Sequence, residues 1–301
     1  MRHGPELLTI LVGEATVGYP VKWPHPVMAV GALIDGIERR WNHGVARRAK
    51  GVALLLVLIV TAGGVGWAIE HVAGGSLGFA LAVIAGSTGL AQRSLNDHVV
   101  AVAEPLAAGD LPGARHGVAR IVGRDTDRLA EAGVATAAIE SLAESFCDGV
   151  VMPAFWYALL GLPGLFAAKA ISTADSLVGH RTERLEAFGW ASARADDLIA
   201  FVPARLSGAL IALAGRGGWR IMVRDARRHA SPNAGWPEAA MAGALGRRLG
   251  GSVTYDGEPA PRPVIGEGPP PAAADLYRAL TVYRRACLLL WLIAGAFAWG
   301  R

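Results

Sequence analysis

Uncharged apolar runs recur along the chain, and two of them have the length of membrane-spanning helices. Residues 51–69 carry no charge, and a helix needs about 20 apolar residues to cross the hydrocarbon core. Residues 74–91 form a second uncharged run, and only residues 70–73 separate the two. So short a link suits a tight hairpin between antiparallel helices, and the pattern predicts a transmembrane hairpin over 51–91.

Three further apolar runs are less regular. Residues 150–171 are interrupted by the sequence Gly161-Leu162-Pro163-Gly164, residues 198–214 carry Pro203 and Arg205, and residues 286–299 are short for a full span. Pro and Gly part-way through a run split a helix into pieces too short to cross, which favours a re-entrant element over 150–171. If the first two runs both cross, the polar stretch between them lies outside; if neither does, it lies inside.

Cationic side chains orient the predicted spans. A cluster stands just before the first span and consists of Arg39, Arg40, Arg47, Arg48 and Lys50. By the positive-inside rule this end of the span is cytoplasmic, and so are residues 215–285, which contain eleven arginines. No long stretch alternates with the period of a strand, so the chain is predicted to be helical.

The predicted fold class is therefore all-α: a polytopic integral membrane protein with about four to five membrane-embedded helical segments and helical cytoplasmic segments. Its expected organisation is an N-terminal cytoplasmic segment 1–50, a transmembrane hairpin 51–91, a cytoplasmic helical segment 92–149, membrane-embedded segments 150–214 flanking a polar block 172–197, a cytoplasmic segment 215–285 and a C-terminal membrane segment 286–301.

Composition narrows the class of protein. Hydrophobic residues make up 52% of the chain and charged residues 18%, a balance that suits a membrane protein better than a soluble one. The net charge of +4 comes from scattered arginines without interleaved aromatics, so a nucleic-acid partner is not expected. The two cysteines have no metal-ligand spacing, and the chain lacks the P-loop, dinucleotide-binding, zinc-protease and serine-hydrolase motifs.

The segment 136–150 reads as a helix with two different faces. Thr136 can cap it, and its apolar stripe is formed by Ile139, Leu142, Phe146 and Val150. Glu140, Glu144 and Asp148 then share the flank away from that stripe. Such a row is either a solvated acidic face or a site whose like charges are offset by an arginine or a divalent metal.

Three other stretches can carry chemistry. The polar block 172–197 places many ionisable groups at a membrane boundary, where they form a salt-bridge network or bind a ligand: carboxylates suit Mg²⁺, and arginines suit phosphate. Gly123-Arg124-Asp125-Thr126 looks like a turn leading into a helix, either a plain cap or an anion site. Residues 229–235 form a turn-rich loop before a helix initiated by Pro237 and running over 239–249, a loop that can cover a ligand or simply connect two elements.

Long motifs in these stretches closely resemble the adenosylcobinamide-phosphate synthase family of cobalamin biosynthesis. They are His25-Pro26-Val27, IVGRDTDRLAEAGVATAAIESLAESFCDGVVMPAFW, KAISTADSLVGHRTERLEAFGWASARADDLIAFVPARL and HASPNAGWPEAAMAGALGRRLGG, and the likeness runs from about residue 24 to 285. The resemblance implies an inner-membrane, multi-pass ligase with its active face in the cytoplasm. The implied reaction joins adenosylcobyric acid to (R)-1-aminopropan-2-ol or its O-phosphate through an amide bond, with ATP and Mg²⁺.

The resemblance also supplies the predicted site. Catalytic roles are expected for Glu140, Glu144, Asp148, Asp175 and Asp196, and Glu144, Asp148 and Asp175 are the expected metal ligands. Substrate or phosphate binding is expected for Arg124, Asp125, Thr126, Lys169, His180, Arg181, Glu183, Arg184, Asp197, Ser231, Asn233, Gly235 and Glu238. The base that takes the ammonium proton is left open between Glu140, Asp196 and His180.

Expected partners are the two substrates, the lipid bilayer and other membrane-bound enzymes of the pathway. Two alternatives stay open on the sequence alone: a corrinoid transporter and a non-catalytic membrane scaffold of the pathway. A transporter favours charges within spans and an inverted repeat, whereas here charges gather at span ends and no repeat is apparent. The sequence also leaves open whether the amine is phosphorylated, where ATP binds and the oligomeric state.

Overall fold

A computed structural model describes residues 3–20, 22–72, 74–180, 182–255 and 257–299, and the predicted all-α class is confirmed. The helices are α1 (Gly4–Val17), α2 (Pro26–Trp41), α3 (Arg47–Val72), α4 (Gly75–Ser87), α5 (Gln92–Ala107), α6 (Leu111–Ala119), α7 (Glu131–Phe146), α8 (Met152–Val178), α9 (Glu186–Ile199), α10 (Phe201–Ala214), α11 (Trp219–Asp225), α12 (Gly235–Leu245) and α13 (Ala273–Trp299). A π-helical turn, Cys147–Val151, joins α7 to α8, and a 3₁₀ turn, Ala226–Arg228, follows α11.

Four short strands follow α12, where the sequence had predicted helix to residue 249. They are β1 (Arg248–Leu249), β2 (Val253–Tyr255), β3 (Glu258–Ala260) and β4 (Ile265–Gly266). β1 pairs antiparallel with β4, and β2 pairs antiparallel with β3. The helix ends early because Gly246 takes a left-handed conformation at φ 65°, which glycine adopts at little cost.

The number of membrane-embedded elements agrees with the sequence. Within the described ranges, four helical runs are long and apolar enough to cross a membrane: Arg47–Val72, Gly75–Ala107, Glu131–Val178 and Ala273–Trp299. The pair α9 and α10, bent by 45°, brings the number to five if it forms one broken span. The last run corrects the prediction of a short C-terminal segment, since α13 begins at Ala273 and has 27 residues.

The chain folds into two compact units. Unit 1 comprises Met1–Ala91, Met152–Ala200 and Ala294–Arg301, and unit 2 comprises Gln92–Val151 and Phe201–Ile293. This grouping follows packing, whereas the six consecutive segments proposed from the sequence follow membrane topology and stay a prediction.

Unit 1 is built around α3 and the second half of α8. A Cβ on Gly66 would lie 2.6 Å from the backbone carbon of Leu162, so only glycine allows the two helices to approach so closely. Toward the other end of α3, a core forms around Leu54, Leu58 and Phe188. Close backbone packing of this kind compensates for the weak hydrophobic drive between helices in lipid.

The predicted break in α8 is confirmed at Gly161, whose φ of 68° is not helical. The Glu70 carboxylate caps the piece that follows, because its Oε1 accepts a hydrogen bond from the Leu162 amide at 2.7 Å. The break therefore lies beside the end of α3 that is remote from the cationic cluster. Whether residues 150–171 are re-entrant stays a prediction.

The cationic end of α3 adjoins the polar block of unit 1. The Arg47 guanidinium donates hydrogen bonds to the backbone oxygens of Glu183, at 3.4 Å, and Arg184. At the opposite end, His3 in front of α1 lines a cleft together with Glu70. α1 packs on α4 along the hairpin, and the cytoplasmic placement of residues 1–50 stays a prediction.

Unit 2 places α12 among α7, α10 and α11, and small side chains make this possible. A Cβ on Gly208 would lie 3.0 Å from the backbone oxygen of Trp236, and one on Gly218 would lie 2.9 Å from the amide nitrogen of Ala244. α7 begins at Glu131, five residues before the cap predicted at Thr136. The Thr136 hydroxyl instead donates to the backbone oxygen of Ala132 at 2.7 Å, inside the helix.

Candidate functional site

A cleft of about 480 Å³ in unit 2 gathers three of the sequence motifs. The turn before α7, the acidic face of α7 and the loop before α12 all contribute side chains to it. A fourth contribution, unforeseen from the sequence, comes from the Pro-rich stretch between β3 and β4. The lining residues are Ile121, Val122, Gly123, Arg124, Ala137, Glu140, Ser141, Glu144, His229, Ala230, Ser231, Pro261, Arg262 and Pro263.

Glu140 is the anchor of this cleft. Its Oε2 lies 2.6 Å from the Arg124 guanidinium and 3.3 Å from that of Arg262, and its Oε1 accepts a hydrogen bond from the Gly250 amide at 2.6 Å. The side chains of Arg124 and Glu140 are 7% and 3% exposed. A carboxylate saturated in this way holds two arginines in place and is poorly suited to accept a substrate proton.

Glu144 and Asp148, the other two carboxylates of the predicted acidic face, have surroundings different from those of Glu140. Glu144 is exposed in the cleft, and no ion pair engages it among the residues that the structure covers. Asp148 is half-buried and lies in the π-helical turn. π-helical turns occur often at functional sites, and of these two carboxylates Glu144 is the one that lines the cleft.

The turn before α7 is fixed by backbone contacts. Ser141 donates from its hydroxyl to the Ile121 oxygen at 2.8 Å, and the Asp125 carboxylate accepts from the Gly257 amide at 2.9 Å. Thr126 is buried. The expected helix start beside Arg124 is wrong, because α7 begins at Glu131 with Ala130 as its cap; the turn presents the Arg124 side chain and no helix N-terminus.

The loop before α12 is an ordered turn. The Ser231 hydroxyl accepts hydrogen bonds from the amides of Asn233 and Ala234, both at 3.2 Å, and Asn233 accepts from Arg205 at 3.3 Å. A Cβ on Gly235 would clash with the backbone oxygen of Ala226. Of the predicted residues in this motif, Asn233 and Gly235 therefore shape the loop, and Ser231 lines the cleft as well.

Glu238 lies behind the cleft and is fully buried. Neither of its carboxyl oxygens has a hydrogen-bond partner in the part of the chain described. The nearest cationic atoms are His229 Nε2 at 3.7 Å and Arg262 Nη2 at 3.8 Å. Burial, reinforced by the Glu144 and Glu140 carboxylates, raises the pKa of Glu238 well above its usual range.

His229 is the link between Glu238 and the cleft. Its Nδ1 accepts a hydrogen bond from the Ser231 amide at 3.0 Å, and its Nε2 lies 2.8 Å from the Arg262 guanidinium. A neutral imidazole has one lone pair for accepting, so it cannot satisfy both donors at once. Burial and the Arg262 charge lower the pKa of His229.

The remaining predicted residues belong to unit 1. Lys169 lines an apolar cavity of about 270 Å³ with His25, while the Arg184 guanidinium pairs with Glu38 at 3.1 Å and Asp197 pairs with Arg194 at 3.2 Å. The other residues carried over for this unit are Asp175, His180, Glu183 and Asp196. Arg181 lies outside the described residues.

The proposed metal ligands are divided between the units, with Glu144 and Asp148 in unit 2 and Asp175 in unit 1. Within the described part of the chain, no three His, Cys, Asp or Glu side chains are grouped to hold a metal ion by themselves. Any Mg²⁺ bound at Glu144 would need phosphate oxygens or water to complete its coordination.

Comparison with known proteins shows the family of the chain. The model of the CobD/Cbib protein family matches residues 7–283. The chain belongs to the CobD/Cbib protein family. It is similar to two proteins named cobalamin biosynthesis protein CobD: one of Rhodobacter capsulatus, 49% identical over 97% of this chain and 96% of the relative, and one of Geobacter metallireducens, 44% identical over the same shares. No solved structure matches the chain.

Within this CobD/Cbib chain, two cleft residues are not among the predicted site residues. Arg262 stands alone in the Pro-rich stretch 258–271, which reads as a linker, and His229 is one histidine among eight. One feature of the sequence could have pointed to Arg262, namely its position between two prolines. A rigid backbone flanked by proline can hold a long side chain against a distant element. Its partner Glu140 is 122 residues away in sequence.

Proposed function

We propose that this CobD/Cbib chain is an adenosylcobinamide-phosphate synthase. It would join adenosylcobyric acid to (R)-1-aminopropan-2-ol, or to its O-phosphate, through an amide bond. The proposal rests on the unit 2 cleft. The buried Glu140 holds Arg124 and Arg262 there, and the exposed Glu144 carboxylate lines the same cleft. Family membership and the names of the curated relatives support the same pathway.

The chemistry requires activation of a carboxylate, since a carboxylate and an ammonium do not condense in water. The propionate oxygen would attack the γ-phosphorus of ATP and release ADP. The neutral amine would then attack the acyl carbon and release phosphate, forming the amide. In this scheme Arg124 and Arg262 bind phosphate oxygens in the cleft, since guanidinium groups match phosphate geometry.

The residues fit a magnesium–nucleotide pair. Mg²⁺ is commonly held by one or two carboxylates together with substrate phosphates, and Glu144, exposed beside both arginines, is the first candidate, with Asp148 one turn further. When bound, Mg²⁺ would offset charge on the phosphate oxygens. Asp175 is the third metal ligand expected from the sequence, and its role in binding Mg²⁺ stays a proposal.

The ammonium must lose a proton before it attacks. Glu140 is engaged by three donors, which leaves His180 and Asp196 from the original alternatives. His229, backed by the buried Glu238 at 3.7 Å, is a further candidate at the cleft itself. To act as the base, His229 would have to lose its contact with either the Ser231 amide or the Arg262 guanidinium. If Arg262 bound a phosphate instead, Nε2 of His229 would be free to accept a proton.

A reconstituted assay tests the proposal. Purified protein in detergent is supplied with adenosylcobyric acid, each amine, ATP and Mg²⁺, and every component is omitted in turn. The expected result is a corrinoid amide that requires ATP, Mg²⁺ and one of the amines. Corrinoid flux in proteoliposomes without any amide product would instead favour a transporter, and rescue of the pathway by a Glu144→Gln variant would favour a scaffold.

A further inference from the structure

The exposed side of α11 in unit 2 carries both apolar and cationic side chains. Trp219 and Val223 are exposed large apolar residues, and Arg220, Arg224 and Arg227 are exposed beside them. These positions recur at steps of three and four residues, so they share one side of α11 and of the 3₁₀ turn after it. An exposed tryptophan bordered by arginines is typical of a helix that lies among lipid headgroups.

The opposite side of α11 is fixed against two other helices of unit 2. Ile221 and Met222 are buried. A Cβ on Gly208 of α10 would lie 2.7 Å from the Met222 sulfur, and a Cβ on Gly243 of α12 would lie 2.9 Å from the Ile221 Cβ. This close packing holds α11 in one orientation, so its exposed side is presented without any change of fold.

The helix before α11 has an exposed apolar stripe. Val202, Leu206 and Leu213 of α10 are exposed and recur at helical spacing. α10 is also part of the bent helix pair that is apolar enough to form a broken span, so this stripe is a surface suited to lipid. Only residues 215–218 separate α10 from α11, and α11 therefore begins beside the end of the apolar stripe.

The positive charge of this region is only partly balanced. Residues 216–228 contain five arginines. Among the described residues, two carboxylates, Asp225 and Glu267, pair with three of these arginines. Arg216 and Arg227 have no ion-pair partner in the same part of the chain. The region thus keeps a net positive charge, and guanidinium groups match the geometry of phosphate oxygens.

We propose that the exposed side of α11 binds anionic phospholipid of the bilayer. Arg216 and Arg227 would contact the headgroup phosphates, and Trp219 and Val223 would enter the boundary between headgroups and acyl chains. An acidic soluble protein would also match the arginines, but the neighbouring apolar stripe of α10 favours a bilayer.

The position of this surface has a consequence for the unit 2 cleft. Residues 229–231, which line the cleft, follow the 3₁₀ turn directly. Lipid bound along α11 would therefore hold that wall of the cleft at the membrane surface. The inference does not depend on the proposed ligase activity, because it concerns lipid contact alone.

Fluorescence quenching by brominated lipids tests this surface. The full chain with Val223→Cys is labelled with bimane and reconstituted with brominated phosphatidylglycerol or brominated phosphatidylcholine, and bromine quenches only a label that lies close to it. Cys147 and Cys287 are buried, so the unmodified chain sets the background of labelling. We expect both lipids to quench, and phosphatidylglycerol to bind about fivefold or more tightly, which is the contribution of about one arginine near an anionic headgroup.

Val72→Cys is the control position for the label. Val72 is the exposed last residue of α3, and no lysine or arginine occurs between residues 51 and 92. A label there should be quenched by both lipids with no preference for phosphatidylglycerol.

Charge variants identify the arginines that bind the lipid. Arg216→Gln combined with Arg227→Gln should remove most of the preference at the Val223 label. Arg128→Gln removes an exposed arginine from the turn before α7 and should leave the preference unchanged. Should the double variant fail to fold, as judged by size exclusion, Arg227→Gln alone decides, with an expected loss of at least about twofold.

Three results would overturn the proposal. A Val223 label that neither lipid quenches would mean that this surface faces away from the bilayer and is open to a soluble acidic partner. Equal binding of the two lipids would exclude a role for the anionic headgroup. An unchanged preference in the charge variants would exclude Arg216 and Arg227 as its cause.

Discussion

The Arg124 guanidinium and the Glu140 carboxylate approach to 2.6 Å with almost no exposure to solvent. Removing one member of an isolated buried pair costs about 3–5 kcal/mol, and the cost here should be smaller because Glu140 keeps Arg262 and the Gly250 amide as partners. We therefore expect Arg124→Gln to lower the thermal unfolding midpoint of the protein in detergent. Arg220→Gln is the control, because Arg220 and Glu267 are 73% and 51% exposed and such pairs contribute about 1 kcal/mol or less. Equal shifts for both variants would contradict the buried-pair interpretation.

Glu144 should behave differently from Glu140, although both lie on the same face of α7. Glu144→Gln removes an exposed carboxylate with no ion pair in the described chain, so we expect an unfolding midpoint close to the wild-type value. If Glu144 binds Mg²⁺ directly, the Mg²⁺ concentration for half-maximal rate should rise at least about tenfold, since even outer-shell changes cost ten- to a hundredfold in metal affinity.

Initial rates measured against Mg²⁺ concentration check this prediction. Glu131→Gln is the matched control, because Glu131 is an exposed glutamate of the same helix. A Glu144→Gln enzyme with wild-type Mg²⁺ dependence would remove Glu144 from the metal site.

Local periodicity explains what the sequence could predict. The spacing of Glu140 and Glu144 is a property of one helix, and both residues line the unit 2 cleft, whereas Asp148 lies in the π-helical turn. The start of α7 was missed because its first five residues, Glu-Ala-Gly-Val-Ala, include only one large apolar side chain to mark a period. α13 was predicted too short because arginines dilute the hydropathy of residues 273–285, while Leu276, Leu280 and Tyr283 form a buried stripe.

Long-range partners could not be predicted in the same way. Nothing near Glu140 in sequence reveals that the Gly250 amide and Arg262 complete its shell. Likewise, nothing near Arg184 in sequence reveals its contact with Glu38, 146 residues away; its phosphate-binding role, expected from the family resemblance, stays a prediction. Charge type can be read locally, whereas the choice of ion-pair partner depends on tertiary packing.

Arg262 should act through substrate binding and little through folding. It is 23% exposed, lines the cleft and contacts Glu140, Glu238 and His229. We expect Arg262→Lys to raise the KM for ATP about tenfold or more, because a lysine cannot form the bidentate contact to phosphate. The exposed Arg227 supplies the control variant Arg227→Lys. Steady-state kinetics with varied ATP decide the matter, and an unchanged KM would exclude Arg262 from the nucleotide site.

Glu238 should make stability fall as pH rises. Its folded-state pKa is raised well above the ordinary value of 4.5, mainly by burial, so the folded protein binds a proton there that the unfolded chain releases. That contribution is complete below pH 4.5 and is lost as pH increases toward the folded-state pKa. Glu238→Gln, which keeps the shape without the titration, should lessen the decline in unfolding midpoint between pH 5 and pH 8.

His229 should make stability change with pH in the opposite direction to Glu238. Its pKa is lowered from 6.5, so its contribution is lost as pH falls below 6.5, and His229→Gln should alter the acid side of the profile. Thermal scans in detergent at half-unit pH intervals separate the two effects. A Glu238→Gln profile parallel to that of the wild type would contradict the buried, protonated carboxyl.

Arg47 contacts the polar block 172–197 at one end of α3, and this contact predicts the side of the membrane on which the block lies. Its contacts with the backbone of Glu183 and Arg184 place that loop at the cationic end, which the positive-inside rule assigns to the cytoplasm. Ser76, exposed in the first turn of α4, follows the opposite end of α3. In intact spheroplasts, a membrane-impermeant thiol reagent should therefore label Ser76→Cys and leave Glu183→Cys unlabelled until the membrane is permeabilised. The unmodified chain sets the background, because Cys147 and Cys287 are buried. Labelling of Glu183→Cys from outside would mean that the polar block faces away from the cytoplasm and that ATP could not reach it there.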